Sequence, residues 1–114
     1  MGFSDAIKIQ LLIYIEQVQC GTKPIAFIGL QTRYIEEAIE LIVNKKKLLL
    51  CVEDVREYPE WKTIFIYKHE YMIDIIKKLP EYPQTPYEHW IIGKACGYSD
   101  EAIGEFIRGD KALF

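Results

Sequence analysis

The chain has 114 residues, a formal net charge of −3 and an apolar fraction of 50%, which favour one ordered globular domain over residues 1–114. The near balance of 14 basic and 17 acidic residues argues against nucleic acid as a partner, and no apolar run approaches the roughly 18 residues of a membrane span. Three cysteines without CxxC spacing favour reduced thiols over a disulfide framework. The N-terminal residues lack the basic region of a signal peptide, so we expect a cytoplasmic location.

The first predicted element is a helix that begins after the N-cap Ser4 and ends at Gly21. Its main apolar stripe comprises Ile7, Leu11, Tyr14, Ile15 and Val18, and Ile9, Leu12 and Ile13 widen this stripe. A helix as apolar as this either lies between two layers of the core or covers a partner subunit. Leu12 and Ile13 are therefore candidate partner-binding residues.

A short apolar strand and an amphipathic helix follow. The strand is predicted at residues 24–30, with its proline confined to the first position. The helix has apolar residues at the 3.6-residue period, namely Ile35, Ala38, Ile39, Ile42 and Val43. This is the clearest amphipathic pattern in the chain.

The turn between this strand and this helix has groups that could bind an anion. Gly29 lies at the end of the strand, and Thr32 and Arg33 open the helix, so amides, a hydroxyl and a guanidinium could converge there. A single glycine is a much weaker signal than a phosphate-binding loop motif. Alternatively, Thr32 caps the helix and Arg33 pairs with Glu37.

A hairpin and a third helix come next. Residues 47–55 are a continuous apolar run, which predicts an interior strand, and residues 61–69 predict its antiparallel partner across the REYPE turn. Residues 70–79 predict a helix that stops at Pro80. The residues of this helix that should point inward are Met72, Ile75, Ile76 and Leu79.

Prolines at every third position, Pro80, Pro83 and Pro86, predict an extended and stiff arm. Tyr82 lies between two of these prolines, where we expect it to be an exposed anchor for a partner. Tyr58 in the hairpin turn and Tyr87 after the arm are further candidate partner-binding residues. Like Tyr82, they are tyrosines, and tyrosine is enriched at binding hot spots.

Two short helices form a predicted corner at the C-terminal end. The first begins at a capping box made by Thr85 and Glu88 and stops at Gly97. The second begins after Ser99 and stops at Gly109. The stripes expected to point inward are Tyr87, Trp90, Ile91 and Ala95 on the first helix and Ala102, Ile103, Phe106 and Ile107 on the second.

These elements predict an α+β fold, in which a small three-stranded sheet is covered by helices and followed by the two-helix corner. The sheet consists of the hairpin and one further strand that a βαβ unit links to it. The order of the strands stays open. A second interpretation treats residues 24–55 as mostly helical, in a bundle with one hairpin.

The histidines and cysteines give no catalytic grouping. His89 and Cys96 lie about two turns, or roughly 10 Å, apart on one predicted helix, which is too far for direct proton transfer. No HxxxH, CxxC or DxDxD pattern occurs, so we expect no metal and no cofactor. We therefore predict no catalytic residue and do not expect an enzyme.

The function that these observations favour is that of a protein-interaction module, such as a regulator, an inhibitor or an adaptor. It would contact a protein partner or form a homodimer, with no membrane partner. One alternative is a small-ligand or anion-binding domain that uses Gly29, Thr32 and Arg33. A nucleic-acid-binding protein that uses the C-terminal helix pair is the other, although the acidic residues of the last helix would repel phosphate.

Overall fold

The protein has the α+β fold that the sequence predicts, described over residues 4–45 and 47–109 by a computed structural model. The elements in chain order are α1 (Asp5–Gln19), β1 (Ile25–Gln31), a 3₁₀ turn (Thr32–Tyr34), α2 (Ile35–Val43), β2 (Leu49–Asp54), β3 (Trp61–Tyr67), α3 (Met72–Lys78), α4 (Pro86–Ala95) and α5 (Asp100–Ile107). The interpretation of residues 24–55 as mostly helical is wrong, because β1 and β2 both pair with β3 along their whole length.

The sheet has the strand order β1-β3-β2, and both pairings are antiparallel. Ile25 of β1 and Leu49 of β2 both lie opposite Tyr67 of β3. Because β1 and β2 each run against β3, they are parallel to each other. The predicted βαβ unit is therefore present in a split form, with β3 placed between the two strands that α2 connects.

The prediction of an interior strand at residues 47–55 is wrong, because β2 lies at an edge of the sheet and β3 is its centre. The continuous apolar run has another cause. Leu50 and Val52 pack into the core on one face of the sheet, while Cys51 packs against the cluster on the other face. A strand that contacts apolar groups on both faces of the sheet has a continuous apolar sequence even when it lies at the edge.

Side chains of the strands alternate between two apolar clusters on opposite faces of the sheet. In β3, Ile64 and Ile66 face the larger cluster, whereas Phe65 and Tyr67 face the smaller one. The larger cluster joins the sheet to α1 and α2 through Leu11, Ile15, Val18, Ala26, Leu30, Ile35, Ala38 and Ile42. The smaller cluster joins it to α3 through Ile25, Ile76, Met72 and Ile73.

Helix α1 has the boundaries that its sequence predicts. The Ser4 hydroxyl oxygen accepts a hydrogen bond from the Ile7 amide at 3.3 Å, and Gly21 takes a left-handed conformation with φ of +83° after the last turn. Leu11, Ile15 and Val18 are buried against the sheet. The main predicted stripe is thus the face that α1 turns to the core.

The C-terminal corner contacts the loop between α1 and β1 closely. Gly97 follows α4 with φ of +84°, and a Cβ at this position would lie 2.8 Å from the Thr22 carbonyl oxygen. Lys23 is only 8% exposed, and its Nζ donates a hydrogen bond to the Cys96 carbonyl at 3.0 Å. This ammonium group also lies 4.0 Å from the centre of the Tyr98 ring. Lys23 therefore stabilises the negative end of α4 from a distant part of the chain.

The predicted caps of both C-terminal helices are confirmed. Thr85 and Glu88 form the capping box, in which the Thr85 hydroxyl oxygen accepts from the Glu88 amide at 3.2 Å and a Glu88 carboxylate oxygen accepts from the Thr85 amide at 3.2 Å. The Ser99 hydroxyl oxygen accepts from the Ala102 amide at 3.1 Å and caps α5.

The inward stripe predicted for α4 is wrong for Tyr87 and Trp90, whereas Ala95 packs against the smaller cluster as predicted. Tyr87 is 72% exposed and Trp90 is 37% exposed, whereas Ile92, Gly93 and Cys96 are buried. Contacts at its C-terminal end and with α5 account for the orientation of α4 about its own axis. Its C-terminal end is held against the loop at residues 22–24, and its His89 ring packs against Phe106 of α5 with ring centres 5.0 Å apart.

Two further residues that the patterns place inward are exposed. Val43 lies in the last turn of α2, and Ile75 lies on α3, which reaches the smaller cluster through Ile76, Met72 and Ile73 instead. In the part of the chain that the structure describes, no helix is long and apolar enough to cross a membrane.

Candidate functional site

The outer face of α1 carries a group of exposed apolar side chains. Ile9 is 58% exposed, Leu12 is 36% exposed and Ile13 is 43% exposed, although Leu11 and Ile15 of the same helix are buried. The helix is therefore not enclosed between two layers of the core. We refer to Ile9, Leu12 and Ile13 as the α1 outer face.

Two opposite charges flank Leu12 on this helix. Lys8 lies one turn before Leu12 and Glu16 lies one turn after it, and both side chains are exposed. Neither takes part in the ion pairs Lys62–Asp54, Lys77–Glu53 and Lys94–Asp100. The two charges are separated by about 12 Å along the helix axis, so they cannot pair with each other within one chain. Lys8 thus lies before the apolar centre of the outer face and Glu16 after it, and the exposed Asp5 lies one turn before Ile9 at the N-terminal end of the same face.

The proline arm is fastened to the hairpin turn rather than free. The Tyr82 hydroxyl donates a hydrogen bond to the Arg56 carbonyl at 2.6 Å, and the Arg56 guanidinium lies 5.7 Å from the centre of the Tyr82 ring. The Arg56 amide donates to a Glu81 carboxylate oxygen at 3.3 Å. Tyr82 is exposed, as predicted, but its hydroxyl and one side of its ring already have partners in the same chain.

A groove of about 500 Å³ lies between this arm and the second face of the sheet. Phe27, Thr63 and Phe65 belong to the strands that line it, and Leu79 and Pro80 line it from the arm. The groove appears only after folding, because it needs the antiparallel pairing of β1 with β3 and the contact between the arm and the hairpin turn.

The charges beside the groove are arranged in pairs. Lys77 and Glu53 are joined at 2.9 Å, and this hydrogen bond raises the pKa of Lys77. Asp54 is paired with Lys62 of the neighbouring strand. The groove therefore has an apolar interior and a rim on which positive and negative groups compensate each other.

The structure divides the predicted partner-binding residues between two sides of the sheet. Leu12 and Ile13 lie on α1, which packs on the face that contains Ile64. Tyr82 lies beside the groove on the other face. Tyr58 is exposed in the hairpin turn that binds Tyr82, and Tyr87 is exposed in the first turn of α4. The five residues do not form one surface.

Both donors of Thr32 in the predicted anion site are engaged within the fold. The Thr32 amide donates to the Glu60 carbonyl at 2.7 Å, and the Thr32 hydroxyl donates to the Pro59 carbonyl at 3.5 Å. Gly29 lies within β1, opposite Thr63, and the Arg33 guanidinium stacks on its neighbouring tyrosine ring at 4.7 Å. Gly29 and Arg33 line one shallow depression, and Thr32 does not line it.

Burial shifts the pKa values of several titratable side chains. Burial raises the pKa of the Cys96 thiol to about 11, and burial also raises the pKa of Cys51. Burial lowers the pKa of Lys23. The His89 Nδ1 atom is buried and has no hydrogen-bond partner in the described structure. Among residues 4–45 and 47–109, histidine, cysteine and acidic side chains nowhere gather in a group of three that could hold a metal ion.

The α1 outer face is the surface that the sequence indicates most directly, since Leu12 and Ile13 follow from the excess width of its apolar stripe. Ile9, Lys8 and Glu16 are not among the predicted partner-binding residues, although their positions about one turn from Leu12 are visible in the sequence. Comparison with models of known protein families and with curated proteins gave no match for this chain.

Proposed function

We propose that this protein is an interaction module that acts through protein–protein contacts, with the α1 outer face as its binding surface. The observation that supports this proposal is the exposure of Ile9, Leu12 and Ile13 on a regular, capped helix. Apolar side chains on a rigid helix can bind a partner without the cost of ordering a loop, and an amphipathic helix face is a common form of recognition surface. A role as regulator, inhibitor or adaptor would depend on the partner.

The other features support this function less directly. The contacts of Tyr82 with Arg56 make its hydroxyl and one side of its ring less available to a partner. Tyr58 and Tyr87 are exposed. A cytoplasmic location fits the three free cysteines, one of which, Cys20, is exposed. Anion binding at the β1–α2 turn has less support, because both Thr32 donors are engaged with the hairpin turn.

Site-specific photo-cross-linking tests the proposal without requiring that the partner be known. A photoreactive amino acid placed at Ile13 should give covalent adducts in the cells that express the protein. Glu36, which is exposed on α2, provides the matched control position. We expect adducts from position 13 and not from position 36. Equal yields at both positions, or none at either both in cells and with the concentrated purified chain, would contradict a binding role for the α1 outer face.

A further inference from the structure

We infer that the partner of the α1 outer face is a second copy of this chain, with the two α1 helices antiparallel about a two-fold axis near Leu12. This inference rests on the proposed function and adds the identity and the orientation of the partner. It is derived from the order of charges and apolar groups along α1.

Lys8 and Glu16 of α1 are complementary to each other when the helix is reversed, whereas the acidic Asp5 is level with the uncharged Gln19 of the partner. Lys8 and Glu16 are equally far from Leu12, each by one turn. In an antiparallel pair centred on Leu12, Lys8 is level with the partner's Glu16, and Glu16 is level with the partner's Lys8. A symmetric dimer therefore forms both attractive pairs at once, as a two-fold interface requires. In a parallel pair, each charge would face its own copy and repel it.

The apolar groups fit the same arrangement. Leu12 lies at the axis, opposite the partner's Leu12. Ile9 lies about 4.5 Å from the axis along the helix and the partner's Ile13 about 1.5 Å from it on the same side, so these two side chains are neighbours. The antiparallel direction also places the positive end of each helix dipole beside the negative end of the other. Apolar contact, side-chain charge and helix dipole thus favour one orientation.

The size of the surface indicates how strong this dimer should be. One exposed helix face is smaller than the roughly 1,200 Å² or more of a standard stable interface. We therefore expect reversible association with a dissociation constant on the order of 10 to 1,000 μM. The chain should be monomeric when dilute and dimeric when concentrated.

The test is sedimentation equilibrium on the wild-type chain and on charge variants at these concentrations. Lys8→Glu and Glu16→Lys should each weaken the dimer about tenfold or more, because every attractive pair becomes repulsive. The double variant Lys8→Glu/Glu16→Lys should return to within about threefold of the wild type. An equimolar mixture of the two single variants should associate more strongly than either alone, since their charges are then complementary.

The controls separate this inference from general effects of charge and from the proposed function. Glu36→Lys changes the charge on exposed α2 and should leave the association unchanged. A chain that stays monomeric at every concentration overturns the inference, as does a dimer that the double swap fails to restore. Cross-linking of position 13 to a different protein, together with a monomeric chain, would retain the proposed function and overturn the second copy as partner.

Discussion

Lys23 and Gly97 join the C-terminal corner to the rest of the chain, and each does so in a way that few other residues could. Lys23 supplies a buried positive charge to the carbonyl of Cys96, the residue that follows α4. Gly97 supplies both a left-handed backbone and the absence of a side chain beside the Thr22 carbonyl. The sequence signal for Gly97 as a helix stop is clear, but its second role depends on a contact with residues more than seventy positions away.

We expect Gly97→Ala to destabilise the protein more than Gly21→Ala. Both glycines have positive φ, at +84° and +83°, so both substitutions carry a conformational cost of about 1 kcal/mol. Only at Gly97 does the added methyl group meet other atoms, with Thr22 at 2.8 Å. The Gly97 variant should therefore lose a further 1 kcal/mol or so in urea unfolding. Equal losses for the two variants would show that the close approach has no energetic effect.

Cys96 should make the protein less stable at alkaline pH. Its thiol has a pKa of about 11 in the folded chain against 9.0 for an ordinary thiol, because burial disfavours the thiolate. Between these values the unfolded chain loses the proton while the folded chain retains it, so the free energy of unfolding falls as the pH rises. The loss at pH 10 should be about 1.4 kcal/mol.

Unfolding in urea at pH 7, 9 and 10 would measure this loss, with Cys96→Ala as the control. The alanine variant lacks the thiol and should show a shallower decline with pH, whatever its stability at pH 7. Lys23 has the opposite effect on the free energy of unfolding. Its pKa is lowered in the folded chain, so the unfolded chain binds more protons as Lys23 titrates, and the free energy of unfolding rises with pH. Parallel declines of the wild type and the variant would show that the Cys96 thiol is not responsible.

At the scale of whole elements, the orientation of α1 in a dimer determines which residues of the two α1 helices contact each other. Cys20 is exposed just after α1. In the antiparallel arrangement the two Cys20 residues would be about 24 Å apart along the helices. Mild oxidation of the concentrated protein should therefore give no Cys20-linked dimer, because a disulfide needs Cα atoms within about 7 Å of each other.

A cysteine at the centre of α1 provides the matched control. Leu12→Cys in a Cys20→Ser chain should form a covalent dimer under the same oxidation, because position 12 lies at the two-fold axis. Gel electrophoresis without reducing agent would separate the outcomes. A rapid Cys20-linked dimer of the wild-type chain would indicate parallel helices and contradict the antiparallel arrangement.

The sequence predicts where the elements lie better than how they are rotated. Ser4, Thr85 and Ser99 are local caps, so the beginnings of their helices can be predicted from a few neighbouring residues. The inward face of α4 could not be predicted in the same way. This helix has apolar residues on several sides, and its rotation is set by contacts with the loop at residues 22–24 and with Phe106, which are distant in sequence.

At the scale of the whole molecule, the strand order explains which part of the binding surfaces could be predicted. The width of the apolar stripe on α1 indicated Leu12 and Ile13, but only the packing of α1 shows that this part of the stripe faces outward. The groove could not be predicted, because its floor combines Phe27 of β1 with Phe65 of β3 and its wall is an arm held by the Tyr82–Arg56 hydrogen bond. Such a site depends on strand pairing, which the sequence left open.

The placement of α1 and the groove on opposite faces of the sheet has a consequence for valency. Two chains joined through α1 would keep both grooves open, directed away from the joined helices. One dimer would then have two binding sites for any chemical group that fits the groove. A molecule with two such groups on a linker long enough to span the dimer would gain avidity from the effective concentration of the second site. The same molecule would gain nothing from the dilute monomer.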